Sequence, residues 1–127
     1  MALLLILSIG NYCFAASGKL VLYTSQPKEQ MLEVVELFKR TNPEVDVEIF
    51  RSGTTEVINK LNAEITAGDP KPDLLMTANV VDMIKLKKDG RLMPYPDAPV
   101  AKFDPAQYDE DMTYFGTKLI TSGIIQH

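Results

Sequence analysis

Ser25-Gln26, Ser52-Gly53-Thr54-Thr55, and Thr77 with Asn79 are the residues best suited to bind something. Each group stands where a strand-like run hands over to a helix-like run. The first turn of a helix carries unpaired N–H groups and a partial positive charge, so it accepts an anion. Hydroxyls and a side-chain amide add further donors, and the chemistry of such a set is non-covalent capture of an oxyanion. Ser52, Gly53, Thr54 and Thr55 are the richest group, because capping a helix needs one hydroxyl and here three accompany a glycine. Ser25 and Gln26 can donate from the first junction, or Ser25 can serve as a cap ahead of Pro27. Thr77 and Asn79 close the site from the third junction, with capping by Asn79 as the alternative. Arg51 brings a positive charge next to the second group, although a solvated arginine at a strand end is the simpler reading.

Catalytic readings find little support, and no residue is assigned a catalytic role. A hydrolytic triad needs a base beside its nucleophile, and the single histidine, His127, is the terminal residue. No Cys/His spacing suits zinc, so no metal ligand is named. The glycines match neither a phosphate-cradling loop nor a dinucleotide fingerprint, and no cofactor is expected.

Hydrophobic periodicity supplies the elements that hold the three junctions. Lys19-Leu20-Val21-Leu22-Tyr23 reads as a short buried strand, with Tyr23 a core residue. Pro27 suits the first turn of a helix in which Met31, Val34, Val35 and Phe38 form one face, and Glu36 can pair with Arg40. That helix should stop before Asn42-Pro43. Val45, Val47 and Ile49 alternate with Asp46, Glu48 and Phe50, which predicts a second strand. Val57, Ile58, Leu61 and Ile65 mark a second amphipathic helix ending near Gly68-Asp69-Pro70. Asp73-Leu74-Leu75-Met76 reads as a third strand, followed by a helix over Val80 to Lys88 that Gly90 can close in the left-handed conformation. Beyond a proline-rich stretch at Leu92–Pro96, residues 103–111 show no period, and 114–120 resume a strand-like pattern. Strand and helix alternate three times, which predicts an α/β fold with a parallel sheet and right-handed crossovers. Ligands in such sheets sit beyond the carboxyl ends of the strands, where all three polar groups fall.

Composition narrows the setting. Ala2 to Ile9 is nearly all apolar, and a small-residue region ends near Ala15 and Ala16. This run is too short to span a bilayer and predicts a secretory signal peptide over residues 1–16. Residues 17–127 then form one lobe, ~110 residues with a modest core. Cys13, the only cysteine, leaves with the signal. The net charge of −4 comes without a basic patch. Lys85, Lys87 and Lys88 complement a helix end, so nucleic acid is not an expected partner.

Leu22-Tyr23-Thr24-Ser25-Gln26, Phe50-Arg51-Ser52-Gly53-Thr54-Thr55, Ala67-Gly68-Asp69-Pro70, Asp89-Gly90-Arg91-Leu92 and Phe115-Gly116-Thr117-Lys118-Leu119 share a further property. In this order, behind a signal segment, they resemble the first lobe of the periplasmic substrate-binding proteins of ABC importers. The resemblance is to the branch that holds ferric-iron, phosphonate and sugar-phosphate binders. It implies a three-layer lobe of type II architecture, a periplasmic location, a permease partner in the inner membrane, and no enzymatic activity. It also implies a second lobe, because members close two lobes on their solute, and the present chain ends about where the first crossover would enter that lobe. Ferric members of the branch carry a histidine after the glutamine of the first loop, where this chain has Pro27, and no Tyr-Tyr pair is present. Hydroxyls and helix N-termini suit an oxyanion better than a hard cation, so a phosphorylated or carboxylated solute is preferred to ferric iron. A lobe without ligand-binding activity, prone to self-association, is the alternative.

Overall fold

The structure is a computed structural model that describes residues 17–118. The expected signal peptide, Cys13, His127 and the apolar run after Lys118 lie outside the described residues. The chain divides into two compact units, Met1–Ala78 and Asn79–His127.

In the first unit, three strands alternate with two helices: β1 (Gly18–Thr24), α1 (Lys28–Thr41), β2 (Val45–Arg51), α2 (Thr54–Thr66) and β3 (Leu74–Met76). The sheet is parallel with strand order β2-β1-β3. The crossovers from β1 to β2 and from β2 to β3 therefore run in opposite directions, and right-handed connections set α1 and α2 on opposite faces. Register and the two-residue side-chain period sort the faces. Leu22 stands beside Ile49 and Leu74, and Tyr23 stands beside Phe50 and Leu75. This is the α/β parallel arrangement that the alternation predicts.

The Tyr23 face is tied to α2 by a polar network. The Tyr23 hydroxyl donates to Glu64 Oε1 at 2.7 Å, Lys60 Nζ donates to the same oxygen at 2.6 Å, and the Lys71 N–H reaches Glu64 Oε2 at 3.2 Å. Burial pushes the Glu64 carboxyl up, but these donors outweigh it and hold the group below its ordinary value. Burial and the carboxylate both push the Tyr23 phenol up. Lys60 also lies over the rings of Tyr23 and Phe50, which are 4.9 Å apart. Leu22, Tyr23, Met31, Val45, Val57 and Leu61 are the buried apolar residues of this unit among those described.

On α1 the expected inward face is only half right. Met31 is buried and Val35 half-buried, but Val34 is 46 % exposed and Phe38 37 %. A 3.6-residue period specifies an apolar stripe and not the width of the surface that covers it, and the three-stranded sheet reaches one side of the stripe only. Glu36 and Arg40 pair as expected, at 3.3 Å. Helix α2 ends as its sequence suggests: Gly68, at φ 77°, lets the N–H groups of Gly68 and Asp69 turn back onto the carbonyls of Ile65 and Glu64.

The second unit opens with α3 (Val80–Lys88), closed in the same way by Gly90 at φ 64°. Residues 103–111, which lack a period, contain a single-turn 3-10 helix at Pro105–Gln107, preceded by another at Val100–Lys102. In place of the strand expected from residue 114, the described residues contain one antiparallel bridge between Tyr108 and Phe115. Asp109 organises the loop. It is 8 % exposed, accepts from Lys87 Nζ at 2.6 Å and from the Thr113 hydroxyl at 2.6 Å, and its carbonyl takes the Met112 N–H at 2.9 Å. These bonds hold Met112 at φ 56°, a left-handed conformation uncommon outside glycine. Burial pushes the Asp109 carboxyl up, while Lys87 and Thr113 more than reverse that and leave it below its ordinary value. Its carboxylate and that of Asp111 raise the Lys87 ammonium well above its ordinary value.

Two outcomes follow. Leu61→Ala removes buried apolar volume between α2 and the sheet and should lower stability in urea unfolding by about 3 kcal/mol. Asp109 has a depressed folded value, so its stabilising contribution is present above the ordinary carboxylate value of 3.8 and is lost as pH falls through the lower folded value. Asp109→Asn should therefore destabilise the protein at pH 7 and reduce the acid dependence of its unfolding midpoint; an unchanged acid dependence would contradict this assignment.

Candidate functional site

β1 is the middle strand, and its last residue, Thr24, is fully buried. Everything at the carboxyl edge of the sheet is fastened to it. The Thr24 hydroxyl donates to the Met76 carbonyl at 3.0 Å and accepts the Gln26 N–H at 3.1 Å. The Thr24 carbonyl accepts the Ser52 N–H at 3.2 Å. The Ser25 N–H gives Met76 O a second donor at 3.1 Å. The loops after β1, β2 and β3 are thus one hydrogen-bonded edge. The connection leaving β1 turns toward β2, on the opposite side from β3, which makes the β1–β3 boundary the place where an open α/β sheet forms its ligand crevice.

Two hydroxyls at that boundary, Ser25 Oγ and Thr77 Oγ1, are buried and have no hydrogen-bond partner. Buried polar atoms are nearly always paired, and an unpaired one costs about 1–3 kcal/mol. Ser25 and Thr77 directly follow the paired residues Thr24 and Met76. They leave the ends of adjacent strands, and neither hydroxyl meets a protein acceptor.

The second polar group behaves differently from a set of caps. The residue preceding α2 is Gly53, and no side chain caps the helix. Ser52, Thr54 and Thr55 therefore leave the N–H groups of the first turn open. Glu56, in that turn, folds its carboxylate over Gly53, into the space where a Cβ would sit. Arg51 is an exposed strand-end arginine, as expected, and its Nε donates to the Gln26 carbonyl at 3.3 Å, linking the second loop to the first. The edge thus carries one cation from Arg51 and one anion from Glu56.

Ser25, Gln26, Ser52, Gly53, Thr54, Thr55 and Thr77 all belong to the first unit, in the loops at this edge or, for Thr54 and Thr55, in the first turn of α2. Asn79 belongs to the second unit and spends its side chain on α3. Its Oδ1 accepts the Val81 N–H at 3.1 Å and its Nδ2 donates to Asp82 at 2.9 Å. The capping alternative therefore describes Asn79, whereas it fails for the hydroxyls before α2. Sequence reasoning passed over Thr24, treating it as part of a junction. Its signal was present in Thr24-Ser25-Gln26, where a hydroxyl can take the N–H two residues on. The role of Glu56 had no such signal, because its placement depends on the local turn around Gly53.

Among the described residues, no group of three or more His, Cys, Asp or Glu side chains is placed to hold a metal ion. The donors that do gather are hydroxyls, amide N–H groups and one guanidinium, a set suited to hydrogen-bonding the oxygen atoms of a small solute. No curated protein matches the chain. The family model for bacterial extracellular solute-binding proteins matches residues 24–124, which takes in all three loops of the edge. The chain belongs to that family, the extracytoplasmic components that bind a small solute for an ABC transporter.

Proposed function

We propose that the chain is the first lobe of a periplasmic receptor that captures an anionic solute of the phosphorylated or phosphonate class and presents it to an inner-membrane permease. On this reading residues 1–16 direct export, and residues 17–127 supply one of two lobes that close on the solute. The observation that carries the solute class is the pair of buried hydroxyls, Ser25 Oγ and Thr77 Oγ1, which lack acceptors at the sheet's ligand edge. A phosphoryl or phosphonate group brings several acceptor oxygens. Two can take these hydroxyl protons while a third faces the hydroxyls and the open N–H groups of Thr54 and Thr55. Arg51 supplies a positive charge at the same edge, and Glu56 opposes it there. Bare ferric iron needs anionic oxygen or imidazole ligands, and the loops of this lobe present hydroxyls and N–H donors instead.

The test is calorimetric titration of the purified chain with inorganic phosphate, methylphosphonate and ferric citrate. Saturable binding of the two phosphorus oxyanions, with ferric citrate weaker, is the expected result; binding of ferric citrate alone would reverse the assignment. Replacing both Ser25 and Thr77 by alanine removes two unpaired hydroxyls, so stability should hold or rise by about 1 kcal/mol. The same change should weaken phosphate binding at least tenfold. A Thr54→Ala/Thr55→Ala double variant should also lose at least tenfold in affinity, with little loss of stability, because neither hydroxyl caps α2.

A further inference from the structure

We infer that Thr24 is the positioning residue of the edge: its one hydroxyl sets the direction of both donors that meet the solute, without contacting the solute itself. The inference rests on the reading of this edge as the solute site.

Ser25 lies between Thr24 and Gln26, and the bond from the Gln26 N–H to Thr24 Oγ1, at 3.1 Å, closes a short turn around it. The backbone path of Ser25, from which its hydroxyl projects, is held by that closure. Thr77 follows Met76, whose carbonyl receives two donors: the Thr24 hydroxyl at 3.0 Å and the Ser25 N–H at 3.1 Å. A carbonyl oxygen has two lone pairs, and both are used. Because the peptide unit is planar, holding this oxygen from two directions also holds the plane that leads into Thr77. The Thr24 carbonyl, through Ser52, extends the same control to the loop before α2.

Thr24 is fully buried at the end of the central strand, and its hydroxyl acts as donor and acceptor at once. Valine matches the shape of threonine and can do neither. Serine can do both and lacks only the methyl group. The two substitutions therefore separate the hydroxyl's role in placement from its role in filling space.

The experiment uses the full chain and inorganic phosphate as the probe, with titration calorimetry for affinity and amide exchange for the loops. Thr24→Val should weaken phosphate binding at least tenfold and speed amide exchange at Gln26 and Ser25, whose N–H groups bond to Thr24 Oγ1 and the Met76 carbonyl. Thr24→Ser should stay within about threefold of the parent affinity, a difference of less than one decade. Leu61→Ala, which destabilises the core away from the edge, should leave affinity unchanged once the folded fraction is accounted for. Parent-like affinity in folded Thr24→Val would overturn the inference, and so would a loss in Thr24→Ser equal to the loss expected for valine. If Thr24→Val does not fold, Thr24→Ser still decides, since a placement role requires it to bind. Failure of the parent chain to bind phosphate or methylphosphonate would instead overturn the reading of the edge, while exchange at Gln26 and Ser25 would still report whether Thr24 holds the loops.

Discussion

The first unit depends on β1 pairing in parallel with a strand on each side. Neither β2 nor β3 pairs with the other, so among the described residues of this unit all sheet hydrogen bonding passes through β1. Parallel neighbours cannot be joined by tight turns, and each connection must travel back over the sheet as a helix. The consequence is geometric: three strand ends and the starts of the following segments collect at one edge. Thr24, the terminal residue of the central strand, is where that edge is tied together.

Polar groups in the molecule fall into two populations. Glu64 and Asp109 are surrounded by donors, and their carboxyls are stabilised in the charged form by partners that outweigh the cost of burial. They hold structure: Glu64 binds α2 to β1, and Asp109 holds the loop around Met112. Ser25 and Thr77 are the opposite case, hydroxyls buried without acceptors at the ligand edge. In the proposed function these two hydroxyls, unlike the partnered carboxylates of Glu64 and Asp109, are the ones kept for the solute. The opposed charges of Arg51 and Glu56 keep that edge from being a simple cationic trap.

The described part of the apolar core is small, and α1 leaves Val34, Leu37 and Phe38 open on one side. Much of the holding together in the first unit falls to the Tyr23–Glu64–Lys60 network and the chain of bonds through Thr24. Both are polar and directional, and both end on β1. The strand that organises the topology is therefore also the one whose last two side chains, Tyr23 and Thr24, fasten a helix and the loops.

Hydrophobic period and helix-stop residues were enough to place the elements. The runs at Leu20, Val47, Leu61 and Leu86 mark strands and helices because burial imposes a period of two or 3.6 residues wherever a chain crosses a core. Gly68 and Gly90 end their helices through backbone freedom that belongs to the residue itself. Alternation of the two periods led to a parallel sheet, and with it to the edge where the polar loops belong. Local chemistry could not say which hydroxyls would find partners. Thr24, Ser25 and Thr77 are similar residues in similar junctions, yet one is doubly bonded and two are left without acceptors. That difference comes from the register that sets Thr24 beside Met76, a contact between residues far apart in the chain, and pairing over such a distance is decided only when the strands come together.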